Sequence, residues 1–150
     1  PTALILSRQD LPVLDGTAGA PVHRGAYVLR ASRSEPDLVL VGTGSEVAVC
    51  LEAAALLEDE QVATQVVSMP SWELFAVQDD DYQDGVLPPA APTLAVEAAS
   101  SFGWDRWVDD CVSIDSFGAS APGDEALAKF GFTAENVADR ARQLLADVSA

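Results

Sequence analysis

Apolar and polar positions along this chain follow two alternating periods. Leu38-Val-Leu-Val41 is wholly apolar, the mark of a strand buried on both faces. Directly after it, Val47, Cys50, Leu51, Ala54 and Leu57 recur at helical spacing, so residues 46–57 read as an amphipathic helix with Ser45 as its N-cap. The same pair of signals then repeats. Residues 63–69, 93–97 and 111–114 read as further buried strands, and 3–7 and 26–30 as strands before them. Ser71 opens a short helix through Trp72 and Phe75, and the acidic turn at Asp79–Asp81 opens another, stopped by Pro88, Pro89 and Pro92. A helix is expected over 101–108 and another over 125–130, closed by Gly131. Thr133 caps the last helix, whose apolar face is Val137, Ala141, Leu144, Leu145 and Val148. Residues 10–25 carry Pro12, Gly16, Gly19, Pro21 and Gly25 with no period, and read as a connection.

Strands alternating with helices imply an α/β fold: three layers, α/β/α, around a mixed, mainly parallel sheet of about five strands. The strand at 26–30 is followed too soon by the next for a parallel crossover, which takes a dozen residues or more. It is therefore expected to run antiparallel at an edge.

Composition narrows the function. In 150 residues there are 24 acids against 8 bases, a formal charge of −16. Such a surface repels phosphate backbones and anionic lipid, so neither nucleic acid nor a membrane surface is an expected partner. Two cysteines, Cys50 and Cys111, cannot make a disulfide framework, and a reduced, cytoplasmic setting is expected. The chain does not begin with Met and enters an apolar strand at once, which reads as a piece of a longer polypeptide.

Candidate chemistry is sparse. Gly42-Thr-Gly-Ser-Glu46 joins a strand to a helix, where backbone N–H groups can hold a phosphate. Yet the third glycine of a dinucleotide fingerprint falls on Val47, and no acid ends the next strand. A tight turn is the simpler reading. His23, the only histidine, lies in the connection beside Arg24 and reads as a surface residue. Asp79–Asp81 reads as a solvated turn, and no residues have metal-ligand spacing. Phe102, Trp104 and Phe117 sit on loops after strands, where they either line a pocket or pack on another domain or subunit; Trp72 and Phe75 carry the same ambiguity. Arg8, just past the end of a buried strand, suits either bidentate binding of a phosphate or carboxylate or an ion pair with one of the many acids.

Read in order, several strings resemble the C-terminal region of the transketolases. They are Ala3-Leu-Ile-Leu-Ser-Arg-Gln9 with Leu11-Pro12, Arg24-Gly-Ala-Tyr-Val-Leu29, Pro36-Asp37 and Gly42-Thr-Gly-Ser-Glu-Val47. Val67-Ser-Met-Pro-Ser-Trp-Glu-Leu-Phe75, Val86-Leu-Pro-Pro89, Val96-Glu-Ala98 and Ser100-Ser-Phe-Gly-Trp104 continue the series. Ile114-Asp115, Phe117-Gly-Ala-Ser-Ala-Pro-Gly-Asp124 and Phe130-Gly-Phe-Thr133 complete it.

The resemblance implies that residues 1–24 are the tail of a pyrimidine-binding domain plus linker, and 25–150 the C-terminal domain. It implies a homodimeric parent that transfers a two-carbon ketol unit between phosphorylated sugars in the pentose phosphate pathway, using thiamine diphosphate and a divalent metal (Mg or Ca). Arg8 matches the family arginine that binds the sugar phosphate. No diphosphate- and metal-binding segment and no matching catalytic glutamate or histidines are present, so this piece is expected to bind no cofactor and to be inert alone. Its own role would be packing with the remainder of the chain and with the second subunit. Two alternatives stand beside this. One is the C-terminal domain of another thiamine enzyme, a 2-oxo acid dehydrogenase β subunit or a deoxyxylulose phosphate synthase. The other is a free-standing regulatory module binding an anion at Gly42–Glu46.

Overall fold

The structure, a computed structural model, describes residues 3, 6, 7 and 9–148. Of the strand expected at 3–7, Leu4 and Ile5 lie outside the described residues.

Five strands form one sheet: β1 (Tyr27–Arg30), β2 (Leu38–Gly42), β3 (Thr64–Ser68), β4 (Thr93–Val96) and β5 (Asp110–Val112), in the order β1-β3-β2-β4-β5. β2 pairs in parallel with β3 and with β4, and β5 runs parallel to β4. β1 is the antiparallel edge strand, with Tyr27 opposite Ser68. Its neighbour is β3 and not the strand that follows it in sequence. The short connection to β2 fixes β1's direction without fixing its partner.

Period-two alternation along β2 explains the three layers. Leu38 and Leu40 face one side with Val66, Leu94 and Val96. There they meet Cys50, Ala53, Ala54 and Leu57 of α1 (Glu46–Asp59), and Val137, Ala138, Ala141 and Leu144 of α5 (Ala134–Val148). Val39 and Val41 face the other side with Val67 and Ala95, under Met69, Phe75, Val86 and Trp104. That second layer is built from short pieces, α2 (Trp72–Phe75) and α3 (Asp80–Val86), and from the loop after β4. α4 (Gly123–Lys129) precedes α5. Thr133 caps α5 by accepting the Asn136 N–H at 3.2 Å.

The helix expected over 101–108 is not formed; a single 3-10 turn, Trp104–Arg106, stands there. Gly103 is the reason. It sits at φ +90°, outside the helical region, and a Cβ on it would come within 3.0 Å of the Trp72 ring. Gly25, at the start of β1, is a similar case. Its φ is +88°, and a Cβ there would lie 2.2 Å from the Phe75 backbone nitrogen. The connection therefore closes directly onto α2, with Ser71 N–H donating to the Gly25 carbonyl at 3.0 Å. Beside it the Arg24 guanidinium lies over the Tyr82 ring, 3.2 Å from its centre, and donates to Gln78 at 2.9 Å.

Candidate functional site

The outgoing connections of β2 and β4 run in opposite directions across the sheet. In open α/β sheets this switch point opens a crevice beyond the carboxyl ends of the two strands. Here it lies past Gly42 and Val96, which are register partners. The turn 42–46, the loop after β4 and the loop after β5 meet at this rim, so three motifs singled out from the sequence are neighbours.

The turn is closed by its own side chains. Gly42 is required by packing, since a Cβ would fall 2.8 Å from the Val47 Cα. Ser45 does not act as an N-cap: its backbone is already helical (φ −66°, ψ −30°), which aims the side chain away from the first N–H groups. Its hydroxyl instead donates to Glu46 Oε1 at 2.6 Å. Glu46 is buried in the first turn of α1, where the helix dipole favours a carboxylate. Glu97 follows β4 into the same crevice. Burial pushes its carboxyl above the ordinary glutamate value, the Glu46 charge adds to the rise, and the Thr43 hydroxyl moderates it. The carboxyls of Glu46 and Glu97 thus interact beside this turn, and their charge counts against an anion there.

Across the crevice one carboxylate braces two loops. Asp115 Oδ1 accepts the Ser101 N–H at 2.9 Å and the Ser100 hydroxyl at 3.0 Å; Oδ2 accepts the Ser113 hydroxyl at 3.2 Å. The Ser101 N–H, followed by the serine hydroxyls, holds its carboxyl below the ordinary aspartate value. This residue carried no role in the sequence reading. The Ser100-Ser101 pair, one strand away, was the signal that could have marked it.

The aromatic residues divide. Trp104 and Phe75 are core residues, and Trp72 packs edge-on against Trp104 with ring centres 4.9 Å apart. Phe102 and Phe117 are 89% and 100% exposed on the two braced loops.

The remaining candidates are placed as follows. Both thiols are free. Burial, followed by the Glu46 charge, pushes Cys50 up; burial, with the Asp110, Glu97 and Asp115 charges against a Ser113 hydrogen bond, pushes Cys111 to about 11. Neither is a thiolate nucleophile near neutral pH. His23 is exposed in a 3-10 turn, Val22–Arg24. Asp79 caps α3 by accepting the Tyr82 N–H at 2.9 Å. Arg8 lies outside the described residues. Among the described residues no three His, Cys, Asp or Glu side chains gather as metal ligands, and no helix is long and apolar enough to cross a membrane. Two interacting carboxyl groups beside the turn 42–46 make it a poor seat for a diphosphate.

Comparison with known proteins agrees with this geometry. The family model described as "Transketolase-like TK C-terminal domain" matches residues 25–133. A transketolase of Nostoc sp. is 48% identical over 149 residues, which is 97% of this chain and 22% of the relative. A transketolase mutant of Pichia stipitis, solved in complex with xylulose 5-phosphate, superposes with a TM-score of 0.89 at 36% identity, covering 95% of this chain and 21% of that one. A split-gene transketolase, solved as an inactive β4 tetramer, superposes with a TM-score of 0.71 at 25% identity, covering 93% of this chain and 48% of that one. The chain thus spans only 22–23% of the length of these curated transketolases. With a five-stranded mixed sheet in three layers and a family match over most of its length, the chain belongs to the transketolase family, whose C-terminal domain it carries.

Proposed function

We propose that this chain is the C-terminal region of a parent enzyme that moves a two-carbon ketol unit between phosphorylated sugars in the pentose phosphate pathway of the cytoplasm. On this reading residues 1–24 are the tail of the preceding domain with its linker, and 25–150 the C-terminal domain. The parent is a homodimer that uses thiamine diphosphate and a divalent cation, held by segments outside these residues. Bound in the parent, the coenzyme would supply the electron sink that ketol transfer needs. The 150 residues alone carry no turnover and serve in domain and subunit packing.

The observation that carries this reading is the asymmetry of coverage: 97% of this chain against 22% of a transketolase. The inactive β4 state named for the split-gene relative supports an inert C-terminal portion, and the complex of the Pichia stipitis protein supports a phosphorylated ketose as substrate.

Arg8 would hold the substrate phosphate by charge-assisted hydrogen bonds. Losing such a bond costs about 1.5–3 kcal/mol. Arg8→Ala in the parent is therefore expected to raise KM for phosphorylated sugars roughly ten- to hundredfold. An unchanged KM would remove Arg8 from the site.

A further inference from the structure

Charge is neutralised unevenly over this surface. Arg24, Arg30, Arg33, Arg140 and Arg142 each pair with a carboxylate, and those pairs engage Asp79, Glu58, Asp110 and Glu60. A groove between α1 and the turn from α4 into α5 has no such partners. It encloses about 420 Å³, within the range of small-ligand sites.

The walls of the groove follow from helical spacing. From Ser45 into α1, residues 45, 48, 49 and 52 stand at i, i+3, i+4 and i+7. On α4, residues 124, 127 and 128 stand at i, i+3 and i+4. Ala48, Val49, Leu127 and the buried Phe132 give the groove an apolar floor. Four carboxylates line it as well: Glu46, Glu52, Asp124 and Glu135. Among the described residues no base lines the groove, and none of these four acids is in an ion pair.

We propose that this groove binds a linear aliphatic polyamine, with its methylenes on the apolar floor and its ammonium groups among the carboxylates.

The spacing of charge selects that class. Glu46 and Glu52 are separated by six residues of α1, about 9 Å of helix rise, with Ala48 and Val49 between them. Acid, apolar, acid along one wall is the complement of ammonium groups joined by short methylene chains. A compact inorganic cation has no cage here, since among the described residues no three acidic side chains gather closely enough to hold a metal ion. A second copy of the chain would bring its own charge of −16 toward the same acids, which counts against it. The volume is that of a small-molecule site, whereas a stable protein contact needs ~800 Å² on each side.

The test is calorimetric titration of spermidine at low ionic strength into the 150-residue chain, whose sheet carries a core on both faces. One spermidine per chain is expected. Glu52→Gln with Asp124→Asn is expected to weaken binding about tenfold or more. Both positions are exposed, so this variant keeps the fold. Asp84→Asn with Asp105→Asn removes the same charge from exposed positions of the layer on the opposite face of the sheet. That variant is expected to keep the affinity within about twofold. Equal losses in the two variants would overturn the proposal, because they identify attraction by net charge alone. Absence of saturable binding by the wild-type chain would do the same. Mg2+ alone is expected to bind roughly tenfold more weakly than spermidine; equal binding would show that the apolar floor contributes nothing and would overturn the site. A trilysine peptide binding more tightly than spermidine would assign the groove to a basic protein segment and overturn it likewise. None of these readouts involves ketol transfer, so the outcome is independent of the function proposed for the parent.

Discussion

Two corners of this domain are braced in the same way and finished differently. At the start of β1, Arg24 bonds to Gln78 and lies on the Tyr82 ring, and the Tyr82 hydroxyl donates to the Ala26 carbonyl at 2.8 Å. The central aromatic residue of that corner is sealed: Phe75 is fully buried, 5.1 Å from the ring centre of the half-buried Trp107. At the rim beyond β4 and β5, Asp115 makes a comparable set of bonds, but Phe102 and Phe117 stay outside. Polar bracing thus orders a loop without deciding whether its aromatic residues are core or surface. Backbone direction decides that. Gly25 brings its corner within contact of α2, while Gly103 in the left-handed region sends Phe102 outward and Trp104 inward.

The sharpest way to break this contrast is to compare residues two positions apart. Trp104→Ala empties a fully enclosed site and is expected to cost about 3–5 kcal/mol, read by denaturant unfolding of the 150-residue chain. A cost below about 1 kcal/mol would mean that the rim has no supporting core. At the sealed corner, Tyr82→Phe removes only the bond to Ala26 and is expected to cost about 0.5–1.5 kcal/mol. Phe102→Ala, by contrast, should move stability by no more than about 0.5 kcal/mol. A larger loss would place Phe102 in the fold of the domain and not in a contact beyond it.

Glu97 adds a pH dependence. Its carboxyl binds a proton more tightly when folded than when unfolded. The stability this contributes is complete below the ordinary glutamate value and is lost as pH rises through the elevated folded value. Thermal unfolding from acid toward neutral pH should show that decline, and Glu97→Gln should flatten it while stabilising the domain at neutral pH. An unaltered pH profile in Glu97→Gln would show that neither burial nor the Glu46 charge raises the Glu97 carboxyl in the folded domain.

Local periodicity carried most of the fold. The apolar run of β2 and the helical spacing after it predict a strand and a helix because each pattern reflects one backbone geometry. The antiparallel edge followed from connection length, although β1's true neighbour, β3, depends on long-range pairing. Ser45 and the segment 101–108 went differently because single backbone conformations overrode propensity: a helical Ser45 cannot cap, and Gly103 breaks the helix. Asp115 was passed over because two of its three partners, Ser100 and Ser101, come from another loop and become neighbours only once β4 and β5 pair. Arg8, proposed to hold the substrate phosphate, lies outside the described residues; chemistry alone leaves it evenly between a phosphate and an ion pair, and the family resemblance favours the phosphate.

The account stands or falls on where the chemistry resides. Ketol transfer should be measured side by side for the full-length parent and for the 150-residue chain, both supplied with thiamine diphosphate, Mg2+ and a phosphorylated ketose donor with an aldose acceptor. The parent is expected to turn over and the 150-residue chain to show none. Turnover by the 150-residue chain alone would contradict the account.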